Sequence, residues 1–117
     1  MNIEEFRDYC LAKKGVAEGF PFDSSTLVFK VMDKMFALTN VDNFVSINLK
    51  CDPELAVELR DQYESVQPGY HMSKKHWNTV TVDQDASDQL ILAWTDASYQ
   101  LIVDKLPKKR KEELSKL

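Results

Sequence analysis

The spacing of apolar residues changes period along this chain, and that change restricts it to a mixed fold. Ile3, Phe6, Tyr9 and Cys10 recur at helical intervals. From Leu27 the residues instead read LVFKVM and then MFALT, β-branched and aromatic runs joined by a tight turn at Asp33-Lys34. The pair predicts a hairpin whose lysines face water while Phe29, Val31 and Phe36 pack inward. A third run, from Phe44 to Lys50, alternates Phe44, Ser46 and Asn48 with Val45, Ile47 and Leu49, and the second set is the expected buried face.

Helix signals bracket these strands. Asn2 with Glu5 three residues on forms a capping-box pattern, and Gly15 after Lys13 and Lys14 supplies a stop, so the first helix is expected to run to about Lys13. Residues 16–25 read as a connector that lays Phe20-Pro21-Phe22 over the edge of the core. Asp52-Pro53 is a strong helix start, followed by Leu55, Leu59 and Tyr63 on one face and an end near Ser65. Pro68-Gly69 breaks the chain; Tyr70 to Met72 is an expected strand start and Trp77 to Val82 a strand. A last helix opens over 85–88, carries the stripe Leu90, Trp94, Ala97 and Leu101, and ends at Leu106-Pro107. The order α-β-β-β-α-β-β-α predicts an α+β fold in two layers, an antiparallel sheet with helices on one face. With 117 residues, a single domain over 1–117 can bury one core without disulfides or metals.

Several function classes find no support in the residues. No apolar run approaches the about 20 residues that span a bilayer, and the polar start lacks the pattern of a secretory signal, so a cytoplasmic protein with no membrane partner is expected. Cys10 and Cys51 have no partner at metal-binding spacing and read as reduced small hydrophobes. His71 and His76 are the only histidines, and a zinc site would need two further ligands from other elements. The plainer reading is imidazoles hydrogen-bonded in a loop. No activated nucleophile is presented, the three glycines at 15, 19 and 69 make no phosphate-cradling loop, and the carboxylates scatter over helix surfaces. The expectation is a non-enzymatic domain with no catalytic residue, no metal and no cofactor.

Charge is distributed unevenly. The net charge is -4, yet residues 69–80 hold Lys74 and Lys75 with no acid, and residues 105–111 hold Lys105, Lys108, Lys109, Arg110 and Lys111 with none. Any anion-binding surface must therefore be local. The segment PGYHMSKKHWNTV, Pro68 to Val80, gathers cations, donors and aromatic faces. Lys74 and Lys75 suit phosphates, Ser73 and Asn78 can donate hydrogen bonds, Tyr70 or Trp77 can stack on a base, and His71 and His76 lie between them. Lys108, Lys109 and Arg110 form a secondary basic patch. On composition alone the alternative stands beside this: Tyr70 and Trp77 as anchors of a hairpin, with lysines that merely solvate the loop.

The same strings carry a resemblance. Arg7-Asp8-Tyr9-Cys10-Leu11, Phe20-Pro21-Phe22, Val28-Phe29-Lys30-Val31, Lys34-Met35-Phe36-Ala37-Leu38, Leu49-Lys50-Cys51, Ser98-Tyr99 and above all PGYHM-x-KKHWN over Pro68 to Asn78 make the chain resemble the MmcQ/YjbR family of small bacterial proteins. The resemblance implies a CyaY-like two-layer fold and a proposed DNA-binding role with paired hairpin wings as contact elements. One departure is Met32-Asp33 in the hairpin turn, where the family pattern has a glycine. The expected function is thus a DNA-binding or regulatory accessory domain that contacts phosphates through residues 68–80. No recognition helix rich in Arg, Asn and Gln is present for reading sequence. A rival of another class is a protein-interaction module, chaperone-like or adaptor.

Overall fold

Six strands form one antiparallel sheet in the computed structural model, which describes residues 1–117. In chain order the elements are α1 (Ile3–Leu11), β1 (Val16–Gly19), β2 (Thr26–Val31), β3 (Lys34–Asn40), β4 (Ser46–Lys50), α2 (Pro53–Gln62), β5 (Val66–Pro68), β6 (Trp77–Thr81), α3 (Asp88–Asp104) and α4 (Lys108–Ser115). The strands lie side by side as β1-β2-β3-β4-β6-β5. Phe6 of α1, Leu59 of α2, Ile91 of α3 and Leu114 of α4 belong to one core with Phe29, Phe36, Ile47 and Val80 of the sheet. All four helices therefore cover the same face, giving the two-layer α+β architecture and the expected element order.

Two elements extend that order. Residues 16–19, expected as connector, form the edge strand β1, in register with β2 from Val16 opposite Val31 to Gly19 opposite Val28. After Leu106-Pro107 the chain enters α4, whose one buried residue is Leu114. Gly15, at φ 75, is the left-handed residue beyond α1, and a Cβ there would stand 2.4 Å from Leu114 Cδ1. It serves the turn and the docking of α4 together.

The hairpin turn is Met32-Asp33, one residue earlier than expected, because Val31 pairs with Lys34. Both turn residues are left-handed, at φ 48 and 68, the conformation a two-residue hairpin requires and non-glycine residues resist. Arg110 offsets this by donating to the Met32 carbonyl at 3.2 Å and to Asp33 Oδ2 at 2.9 Å. A bulge between Phe29 and Lys30 in the register leaves Phe36 without a partner residue on β2. Its ring packs edge-on against Tyr99, centroids 5.6 Å apart, and its carbonyl accepts a hydrogen bond from Ser98 Oγ at 2.5 Å.

Other boundaries differ from the sequence reading for local reasons. α1 ends at Leu11 and α2 at Gln62, each a turn or less before the expected stop. β4 begins at Ser46, and Val45, expected inside, is exposed in the preceding loop. No strand starts at Tyr70; β6 pairs with β4 on one side and on the other with β5, which ends at Pro68. On α3 the buried residues are Ile91, Thr95, Ser98 and Ile102, one position beyond the expected stripe. Thr95 satisfies its hydroxyl on the Ile91 carbonyl at 2.8 Å, which lets a polar residue sit against the core.

Candidate nucleic-acid interface

Residues 69–76 form a looped turn between β5 and β6, and backbone requirements shape it first. The Gly69 N–H donates to the Trp77 carbonyl at 2.8 Å, and a Cβ on Gly69 would meet Trp77 Cβ at 2.7 Å. Only glycine allows so close an approach. His71 is left-handed at φ 58, and its ring lies 4.1 Å from that of Tyr70. The Tyr70 N–H donates to Thr79 Oγ1 at 2.9 Å, and the His76 N–H to the Ser73 carbonyl at 3.2 Å.

Arg60, in the last turn of α2, holds the far side of this loop. Its Nη2 donates to the carbonyls of Lys74 and of Trp77, the latter at 3.2 Å, and its Nε donates to Asn78 Oδ1 at 2.7 Å. Asn78 is buried, and its Nδ2 donates to the Ala56 carbonyl at 3.4 Å. The guanidinium fork thus fixes three points of one loop at once. Nothing in the sequence marked Arg60, which reads as an ordinary cation at a helix C-terminus.

The motif therefore divides in two. Trp77 is 4% exposed and packs with Val28 and Leu38 on the face of the sheet that no helix covers, sealed by Met35 and Met72. With Asn78 it builds the loop, so the stacking and donor roles expected of these two residues do not apply: neither offers a surface. Tyr70, 68% exposed, and His71, Ser73, Lys74 and Lys75, all exposed, are displayed. Lys74 reaches back only weakly, its Nζ 3.5 Å from the Gly69 carbonyl. His76 is half-buried and faces away from this group, toward the end of the sheet that it shares with Arg110.

The secondary patch also splits. Lys108 and Lys109 are exposed, whereas Arg110 is committed to Asp33, to the Met32 carbonyl and to Glu113 at 3.0 Å. Two lysines that the sequence reading did not single out as contacts belong to the surface instead. Lys30 points to the uncovered face opposite Ala17, and Lys50 lies opposite Trp77 with its Nζ 5.4 Å from the indole centroid. Around that face stand three exposed aromatic rings: Phe20 at 49%, Phe22 at 63% and Tyr70. Phe22 and the Tyr70–Met72 turn form opposite walls of a trough floored by Leu38, Asn48 and Ser46.

Burial pushes the Cys10 thiol up to about 12 and, with Asp52, the Cys51 thiol up to about 11, and both cysteines are free. No group of three or more His, Cys, Asp or Glu side chains lies close enough to hold a metal ion. No helix is long and apolar enough to cross a membrane.

A half-open antiparallel sheet with a pinned basic-aromatic turn at its rim defines the structural class, and comparison with known proteins agrees. The YjbR family model matches residues 11–101, and the chain belongs to that family. It is 39% identical to the Escherichia coli K12 protein YjbR over 118 residues, covering 100% of both chains. It is also 31% identical to Bacillus subtilis YyaQ over 75 residues, 64% of this chain and 63% of that one. The crystal structure of the Deinococcus radiodurans protein DR2400, a DUF419 domain, superposes with a TM-score of 0.90 at 39% identity, over 97% of this chain and 88% of that one. A Pseudomonas syringae crystal structure gives 0.72 at 32% identity, over 86% and 98%. These names state no activity.

Proposed function

We propose that this chain is a non-enzymatic nucleic-acid-binding accessory domain that holds a phosphate backbone at the rim of its uncovered sheet face. Lys74 and Lys75 neutralise phosphates, Ser73 donates to them, and Tyr70 stacks on a base or sugar while the Arg60 fork keeps the turn in place. The carrying observation is the placement of Tyr70 and the acid-free Ser73–Lys75 turn beside a sheet face edged by Phe20 and Phe22, on a chain whose net charge is otherwise negative. Exposed aromatic rings gathered round one open face mark an interaction surface in a way that rings scattered singly do not. Contacts of this kind position a backbone and do not read bases.

Binding to duplex and single-stranded DNA at several salt concentrations tests the proposal. The expected result is salt-sensitive binding whose log–log slope falls by about one for each of Lys74→Ala and Lys75→Ala. Tyr70→Ala should weaken single-strand binding by about 1–3 kcal/mol. Binding that ignores salt, or is the same in all three variants, refutes it.

A protein-interaction role draws on a different observation. Leu55, Leu59, Trp94, Ala97 and Leu101 leave an apolar cleft between α2 and α3 above Leu49 and Val80. If that cleft is the working surface, Ala97→Glu abolishes recovery of a protein partner while the salt-dependent DNA binding is absent from the start.

A further inference from the structure

At one end of the sheet the β2–β3 turn, the last residue of β4 and the residue before β6 lie together, closed over by the end of α3 and by α4. They border an open concavity of about 640 Å³, in the size range of small-molecule sites. Lys34, Lys50, His76, Lys105 and Arg110 line it; its one carboxylate, Asp33, is already bonded to Arg110 at 2.9 Å. Lys34, Lys50 and Lys105 form no ion pair with any carboxylate. The Lys50 ammonium is held below the ordinary lysine range, by burial first and then by Lys105 and Lys34. Lys50 is half-buried while Lys34 and Lys105 are exposed, and like charges that bear on a half-buried ammonium are relieved when an anion joins them.

We propose that this concavity binds a phosphomonoester, with the dianion among Lys34, Lys50 and Lys105 and with His76 and Arg110 at its edge. Three lysines lining one hollow, near enough for Lys105 and Lys34 to act on the Lys50 ammonium, suit a doubly charged group with several acceptor oxygens better than a carboxylate. Leu101, Ile102 and Leu106 give the hollow an apolar wall for the organic part of the ester. Lys34 and Lys50 also line the adjoining hollow beside Trp77 and Met35 on the uncovered sheet face. A free phosphorylated metabolite and the terminal phosphate of a nucleic-acid strand therefore reach the same cations. The site stands whether or not a strand crosses the sheet.

The test is amide NMR of the full chain at fixed ionic strength in chloride, titrated with adenosine 5′-monophosphate and, separately, with adenosine. The monophosphate should give saturable shifts confined to Lys34, Cys51, His76, Lys105 and their neighbours, and adenosine should give none. Lys50→Met should weaken binding about tenfold or more, the loss of one charge-assisted hydrogen bond, while its thermal midpoint rises because like charges are relieved. Lys116→Met should match the parent chain. Shifts that do not saturate or that spread over all lysines, or undiminished binding in Lys50→Met, overturn the proposal. A second arm compares 5′-phosphorylated with 5′-hydroxyl oligothymidylate. A preference for the phosphorylated strand that disappears in Lys50→Met assigns the phosphate to a strand end, and no preference beside tight monophosphate binding assigns it to a free ester.

Discussion

The two faces of the sheet are built from the same strands by opposite rules. The covered face carries Phe29, Val31, Phe36, Ile47, Leu49 and Val80 into one core with all four helices. The uncovered face buries only Val28, Leu38 and Trp77, and surrounds them with lysines, amides and exposed rings. One face is the source of stability; the other has just enough apolar filling to hold a surface still. Alternation along β6 shows the division at single-residue scale, with Trp77 and Thr79 on one side and Asn78 and Val80 on the other.

The largest test of this contrast is Phe29→Ala, which should cost about 3–5 kcal/mol in urea denaturation, whereas Trp77→Ala should cost about 2–3 kcal/mol because water can fill its shallow site. Equal losses would show the small cluster to be as much a core as the large one. Arg60→Ala ranks next, at about 1–3 kcal/mol, for leaving the buried Asn78 Oδ1 and the Lys74 carbonyl without their donor, while the Trp77 carbonyl keeps the Gly69 N–H. Hydrogen exchange should then speed up over residues 69–78 and stay slow in β2 and β3; faster exchange throughout would mean that the turn is not an independent unit.

The smallest effect is set by acid. Asp23 accepts hydrogen bonds from the Ser25 N–H at 2.9 Å and from the Thr26 N–H at 2.7 Å and hydroxyl at 3.1 Å, and these donors hold its carboxyl below the ordinary range. With the folded value the lower, the ionised group stabilises the fold above an unfolded value of about 3.9 and ceases to do so as pH falls through the folded value. The protection factors of the Ser25 and Thr26 amides, corrected for intrinsic exchange, should fall in that window while that of Phe29 holds, and Asp23→Asn should remove that step. Loss of both segments in a single step would merge the rim with the core.

How much of this was legible in the sequence depended on whether a signal was local. The Asn2–Glu5 capping box is formed, with the Glu5 N–H on Asn2 Oδ1 at 2.8 Å and the Asn2 N–H on Glu5 Oε1 at 3.1 Å. Asp52-Pro53 starts α2, and the hairpin stands one residue from its expected turn. β1 was missed because the run Val-Ala-Glu-Gly is too short and mixed to show a period, and its pairing comes entirely from β2. α4 was missed because its first turn is basic, with no acid to favour its dipole, and its anchors, Leu114 against Gly15 and Arg110 on the hairpin, are distant contacts. The displaced stripe on α3 has the same cause, since Thr95 and Ser98 look polar until their acceptors are known. Within the motif, composition could not separate Asn78, which builds, from Ser73, which is displayed. That distinction belongs to Arg60.

The clasp between Arg110 and the Met32-Asp33 turn also bears on how variation at these positions should be read. A glycine at position 33 would make the turn comfortable by itself and leave the guanidinium without its carboxylate, so the arginine would lose part of its reason to be there. Positions 33 and 110 should accordingly drift as a pair among relatives, with a non-glycine turn found where a cation is present on α4 to hold it. A change at either one alone would disturb the wall of the phosphate hollow before it disturbed the core.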